Sequence, residues 1–246
     1  MELGARIAEG KTKVIYAHPT DPALVVICHK DGITAGDGAR RNEIPGKGAI
    51  AGRTTANVFA YLERAGITTH FVGAPADDVT VAQRCLMLPL EVVMRRLATG
   101  SYLRRHPEVS EGQAFDPPLV EFVLKDDAAH DPQISEAEII ARGLAIPAEV
   151  EQMTRVGRAV CNALATAWAA QDVTLVDLKI EFGRKLDGSL IVADVIDNDS
   201  WRIWPGGEKT RMLDKQVYRN AAAVDETLLD AIKERYRLVA EMTAAF

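Results

Sequence analysis

The run LVDLKIEFG (residues 175–183) is followed, after a turn at 185–189, by LIVADVID (residues 190–197), which carries Asp194. Side chains alternate along an extended chain, so Val176, Leu178 and Ile180 face one way while Asp177, Lys179 and Glu181 face the other. The two runs therefore predict a β-hairpin with an apolar side for a core and a row of three charges opposite it. Burying such a row is costly unless the charges meet each other, a metal or a charged ligand. ATP with magnesium is such a ligand, because a hard cation takes carboxylate oxygens and an ammonium reaches phosphate. A solvated outer face of a hairpin is the alternative.

Working outward, KVIYA (13–17) and ALVVICHK (23–30) read as a second hairpin around a Pro19/Pro22 turn. Residues 31–52 are too irregular for a strand and too rich in glycine for a stable helix, which predicts a functional loop. Apolar spacing at Ala56, Phe59, Ala60 and Leu62 predicts a helix over 51–65 with Gly66 at its C-terminus, before the strand-like THFVGA (69–74). The apolar run 81–90 contains Pro89 and suits a hinge between lobes; a helical reading of 91–97 puts Glu91 and Arg95 on one face. VEFVLK (120–125) reads as a strand. Ser135 with Glu138 has capping-box spacing, and amphipathic helices are expected over 147–170 and 225–244. The pattern is α+β in two lobes, a β-rich one over residues 1–86 and a larger α/β one over 87–246.

The chain has 246 residues, 48% hydrophobic and 26% charged, which is the composition of a globular protein with a sizeable core. A net charge of −6 gives no basic surplus, so no nucleic-acid partner is expected. The N-terminus lacks an apolar leader and no stretch has the length of a membrane span, so a cytoplasmic protein without a membrane partner is expected. Cys28, Cys85 and Cys161 stand apart in apolar runs and read as reduced core thiols. His18, His29, His70, His106 and His130 have no metal-ligand spacing, and no nucleophile elbow is present.

Five further segments carry charge in patterns that suit anions or metals. Lys11 and Lys13 in EGKTK can follow a polyphosphate or decorate an edge strand. The loop DGITAGDGARR (31–41) with Gly46-Lys47-Gly48 combines flexible backbone with cations, as anion-covering loops do, or is a mobile solvated segment. Thr99-Gly100-Ser101 after Arg95 and Arg96 offers donors to a phosphate. Lys125-Asp126-Asp127 and Asp131 can hold a metal or initiate turns, and Asp197 to Arg202 with Asp214 to Arg219 add an acidic and basic cluster.

Taken together, EGKTKVIY, LMLPLEVVMRRLATGS, KDDAAHDPQIS, LVDLKIEFG and ADVIDNDSWRIWP resemble, in this order and across nearly the whole chain, the phosphoribosylaminoimidazole-succinocarboxamide synthases (SAICAR synthetases). KDGITAGDGAR, ADVIDNDSWRIWP and DKQVYRN look most like the synthetase half of the bifunctional animal enzyme, whose carboxylase half has no counterpart here. The resemblance implies a two-lobed fold related to protein kinases and ATP-grasp enzymes, with ATP in the cleft. The implied reaction joins L-aspartate to the carboxylate of carboxyaminoimidazole ribonucleotide (CAIR) with release of ADP and phosphate, through an acyl phosphate. It also implies roles. Lys11 and Lys13 contact the ATP phosphates, and Leu86 and Met87 form the adenine-side hinge. Glu181 and Asp194 hold Mg2+ on ATP, and Lys179 neutralises the moving phosphoryl group. Glu91 and Asp131 bind metal near the CAIR carboxylate, Arg95, Ser101 and Arg202 hold the ribonucleotide, and Lys125, Asp199, Lys215 and Arg219 touch substrate. The glycine loop covers the substrates near aspartate, and a homo-oligomer is compatible with the family. Ile7-Ala8-Glu9, Val195 and TAGDGARR depart from the common bacterial pattern, so Val195 takes no metal role. A small-molecule kinase, or a non-catalytic nucleotide-binding regulator, is the alternative function.

Overall fold

The computed structural model describes residues 2–36 and 38–246; Met1 and Asp37 of the glycine-rich loop lie outside the described residues. The chain opens with β1 (Arg6–Glu9), β2 (Lys13–Ala17), β3 (Leu24–His29), β4 (Gly32–Ala35), β5 (Arg40–Glu43), α1 (Lys47–Arg64), β6 (Phe71–Ala76) and β7 (Val79–Gln83). Strands β1, β2, β3, β7 and β6 form, in that order, a five-stranded sheet. The expected loop over 31–52 is instead an antiparallel hairpin, β4 with β5, leading into the first turns of α1. Gly36, at φ 58°, and Gly38, at φ 92°, take the left-handed backbone of the turn, which leaves the residues on either side free to pair. Ile33 and Ile44 then pack with Tyr218, Ile232 and Tyr236 from the far end of the chain.

The rest of the chain forms β8 (Leu86–Leu97), α2 (Ser101–Arg105), β9 (Ala114–Leu124), β10 (Gln133–Ile134), α3 (Glu136–Ala141), α4 (Pro147–Ala169), β11 (Val173–Arg184), β12 (Leu190–Ala193), β13 (Trp201–Pro205), α5 (Gln216–Asn220) and α6 (Glu226–Thr243). A second sheet runs β10-β9-β8-β11-β12, with β13 also paired to β11. Residues 91–97, read above as a helix, are strand. Val92 and Val93 favour extended backbone, and Glu91 and Arg95 share a face either way, since four residues is a whole number of strand repeats. Pro89 lies where the β8–β11 register shifts, a place that tolerates a residue without an N–H.

The hairpin of the opening motif forms as alternation dictates. Val176, Leu178 and Ile180 are buried, with Leu178 and Ile180 packed beside Leu88, Leu90, Val92 and Met94 of β8. Met153, Val160, Leu164 and Trp168 of α4 and Val58, Phe59 and Leu62 of α1 close the same core. Each such side chain contributes about 1.5–3 kcal/mol of burial, so this layer outweighs the cost of setting the charged row on the opposite side. α4 opens with Pro147 in its first turn, α3 has the expected Ser135–Glu138 capping box, and α6 is capped by Asp225, which accepts from the Leu228 N–H at 2.8 Å. Of the three free thiols only Cys161 is a core residue; Cys28 and Cys85 are half-buried at strand ends.

Candidate active site

The charged face of β11 looks into two of three adjoining cavities. The first, about 700 Å³, lies between the two sheets and is largely apolar, walled by Ile7, Ile15, Val25 and Ile27 on one side and Leu86 and Met87 on the other. Asp194 joins it to a central cleft of about 670 Å³, which takes in Lys11, Lys13, Lys125, Lys179, Glu181, Lys215 and Arg219. Glu91, Asp131, Lys179, Asp199 and Arg219 in turn join that cleft to a third cavity of about 400 Å³, lined by Arg95, Ser101 and Arg202. Every site residue expected from the sequence thus lines one of three adjoining cavities.

Lysines from different elements meet the carboxylates of the central cleft. Lys179 donates to Glu91 at 2.9 Å and to Glu181 at 3.2 Å, Lys125 donates to Glu181 at 2.7 Å, and Lys13 pairs with Asp194. Burial opposes the charge of Lys179, yet Glu181, Glu91 and Asp194 outweigh it and hold the ammonium above the usual lysine range. Burial likewise opposes the charge of Asp194, but Lys13, Lys179 and Lys125 together hold its carboxyl below the usual range. Asp194 has left-handed backbone, φ 68°, where β12 ends, and its carbonyl accepts from His70 Nε2 at 2.8 Å. Asp131 also stands at positive φ, 47°, and takes the Asp126 N–H at 2.8 Å. Its neighbour Asp126 accepts from the N–H groups of Ala128 and Ala129, the turn-forming role weighed above for this acidic cluster.

Arginines dominate the third cavity. Arg95 is almost fully buried, paired with Glu121, donating to Asp177 at 3.1 Å and to the Ser101 hydroxyl at 3.2 Å. Glu121 also pairs with Arg105, and Asp177 with Arg202. On the wall shared with the central cleft, Asp199 accepts from Lys215 at 2.6 Å and from the Tyr236 hydroxyl at 3.1 Å. Burial again works against Asp199, and Lys215 with Lys47 reverses it, keeping the carboxyl below its usual range. Asp197, two residues earlier, is pushed up by burial and by Asp199.

Several of these groups escaped the sequence reading. Glu121 sat unremarked in the VEFVLK strand, and only its alternation with Val120 and Phe122 pointed to the charged face. Lys47, expected in a substrate-covering loop, is buried at the start of α1 with its ammonium 5.6 Å from the Tyr236 ring. His70 is buried, and burial lowers it to about 4, so the ring is neutral.

Glu181 with Asp194, and Glu91 with Asp131, offer hard oxygen donors, while among the described residues no three His, Cys, Asp or Glu side chains form a metal group by themselves. That donor set suits magnesium, which takes one or two carboxylates and completes its shell with phosphate and water.

Residues 6–235 match the family model described as SAICAR synthetase. The chain belongs to the SAICAR synthetase family. The phosphoribosylaminoimidazole-succinocarboxamide synthase of Chloroflexus aggregans is 69% identical, covering 99% of this chain and 97% of that protein. The bifunctional carboxylase/synthetase of Drosophila melanogaster is 45% identical over 99% of this chain, which spans 58% of that longer protein. Among solved structures, the synthase from Ehrlichia chaffeensis superposes with a TM-score of 0.87 at 29% identity, covering 98% of this chain and 99% of that one. A SAICAR synthetase in complex with ADP superposes with a TM-score of 0.82 at 32% identity, covering 93% and 96%. The α+β fold is therefore that of the SAICAR synthetases, and no described helix is long and apolar enough to cross a membrane.

Proposed function

We infer that this SAICAR synthetase family member is an ATP-dependent ligase of de novo purine biosynthesis, joining L-aspartate to the carboxylate of CAIR with release of ADP and phosphate. The observation that carries the reading is the position of Lys179, on the shared wall of the central cleft and the arginine-lined cavity, with Glu91 and Glu181 on either side. A phosphoryl group passing from nucleotide to a carboxylate must bring anions together, and a fixed cation at the crossing offsets their repulsion.

In this reading adenine enters the apolar cavity beside Leu86 and Met87, and Lys11 and Lys13 follow the phosphates. Glu181 and Asp194 hold the nucleotide-bound Mg2+, and Glu91 with Asp131 a metal nearer the CAIR carboxylate; bound magnesium neutralises phosphate and carboxylate charge. Arg95, Ser101 and Arg202 position the ribonucleotide, with Arg95 acting largely through Ser101 and Asp177 because its guanidinium is already engaged by protein partners. Lys125, Asp199, Lys215 and Arg219 contact the substrates from the remaining wall. A CAIR carboxylate oxygen attacks the terminal phosphorus and the bond to ADP breaks. The aspartate amine then attacks the resulting acyl phosphate, phosphate leaves, and the nitrogen gives up a proton as the amide forms. No protein nucleophile is needed, in keeping with the absence of a triad pattern. We put the division between the lobes near residue 86, with the phosphate-contacting Lys11 and Lys13 before it and the metal-holding and CAIR-holding residues after it, and the reaction in the cytoplasm.

The deciding assay measures ADP from ATP, magnesium and CAIR with and without L-aspartate, and follows the succinocarboxamide by mass. Aspartate-dependent product is the expected outcome. ADP without amide would mean a kinase, and no ADP a nucleotide-binding regulator.

A further inference from the structure

His70 has no role in the reading above, yet it touches Asp194 at the boundary between the apolar cavity and the central cleft. Three backbone and packing contacts fix the ring. The His70 N–H donates to Val192 at 2.9 Å, the Gln83 N–H donates to the His70 carbonyl at 2.7 Å, and the ring meets Phe59 edge-on at 5.4 Å. A carbonyl oxygen only accepts, so the 2.8 Å contact to Asp194 requires the proton on Nε2. The Asp194 carbonyl lies at a left-handed, non-glycine residue, a conformation that persists only when neighbours over-determine it. Lys13 holds the carboxylate of Asp194, His70 holds its carbonyl, and the two come from different segments of the N-terminal part of the chain.

We propose that His70 is a positioning residue, its Nε2–H fixing the turn at Asp194 so that the carboxylate is presented to nucleotide-bound metal. The proposal rests on the assignment of Asp194 to that metal. A donor at position 70 organises the ligand residue through its main chain, as outer hydrogen bonds organise metal ligands through their side chains.

The test is ADP binding to the purified protein by calorimetry, with magnesium and with chelator, together with the KM for CAIR and the melting temperature. His70→Leu fills the space without a donor; His70→Gln supplies one. His70→Leu is expected to lower the magnesium-dependent gain in ADP affinity about tenfold or more, leaving chelated ADP binding and the CAIR KM nearly unchanged, and His70→Gln to recover most of it. Equal loss with magnesium and with chelator, or a Gln variant no better than Leu, would overturn the proposal by showing that the ring only shapes the cavity. If His70→Leu does not fold, His70→Met replaces it under the same criteria, and failure of both beside a folded His70→Gln would mean a structural anchor only. Asp194→Asn tests the underlying assignment separately: a magnesium-dependent gain that survives this change removes Asp194 from the metal site, whatever His70 does.

Discussion

The two ends of the charged row on β11 hold their charges differently. Around Glu181 the partners are lysines, Lys125 and Lys179, whose side chains keep 43% and 30% of their exposure. Around Asp177 they are arginines, and Arg95 and Asp177 keep only 5% and 9%. A lysine is a flexible point charge that can change partners, whereas an arginine fork, once paired, stays put. The lysine end is thus a set of exchangeable ion pairs, ready to be redistributed over phosphate and metal. The arginine end is a prebuilt frame that presents Ser101 and Arg202 without rearrangement.

Lys179→Met breaks the comparison most sharply. Turnover should fall about 10³-fold or more, with a melting temperature near that of the parent, because the group is needed for transition-state charge; steady-state rates and a thermal melt decide it. Arg95→Ala should behave in the opposite sense. Removing one partner from a buried network leaves Glu121 with Arg105 alone and Asp177 with Arg202 alone and should cost up to about 3 kcal/mol in urea unfolding, so loss of activity comes with loss of stability; a variant as stable as the parent would dissolve the distinction.

A third experiment probes the lysine end through pH. His29, bonded to Thr80 at 3.0 Å, is lowered to about 4, first by burial and then by Lys13 and Lys47. Its unfolded value is near 6.5, so the unfolded chain binds the proton first, and His29 contributes stability that is lost as pH falls from about 6.5 toward 4. Between pH 7 and pH 5 the loss amounts to about 2 kcal/mol, and His29→Gln should reduce the pH dependence of unfolding by that amount. The smallest effect is expected for Lys125→Met, whose half-exposed ion pair should change stability by under about 1 kcal/mol while weakening substrate use. A larger destabilisation would mean that the lysine end, too, is a structural frame.

Much of this site was legible in the sequence because alternation on one strand placed Asp177, Lys179 and Glu181 together, and because the remaining groups follow in recognisable family phrases. The residues alone leave even LVDLKIEFG open to a solvated reading; burial of Asp177 and Glu181 themselves and the incoming lysines settle that question. What stayed hidden has a common cause. Glu121, Lys47 and His70 have ordinary local surroundings and gain meaning from Arg95, Tyr236 and Asp194, partners that lie in other elements. Residues 91–97 were misread because a spacing of four fits both a helix turn and a strand face. The β4–β5 hairpin escapes the sequence reading because its glycines, needed at the turn, mask two short strands, of which β4 is held through Ile33 against residues from the far end of the chain.

Helix α1 has a consequence for how the molecule is made. A side chain at Gly52 would strike the Asp77 carbonyl, and one at Gly48 would come within 2.8 Å of the His29 carbonyl, so the helix sits directly on the first sheet. Yet it also packs on α6, with Asn57 donating to the Ala240 carbonyl at 3.1 Å. During synthesis the helix emerges long before α6, and for that interval one of its faces has no cover. A face of the first helix of the chain is thus covered by a helix about 160 residues further along.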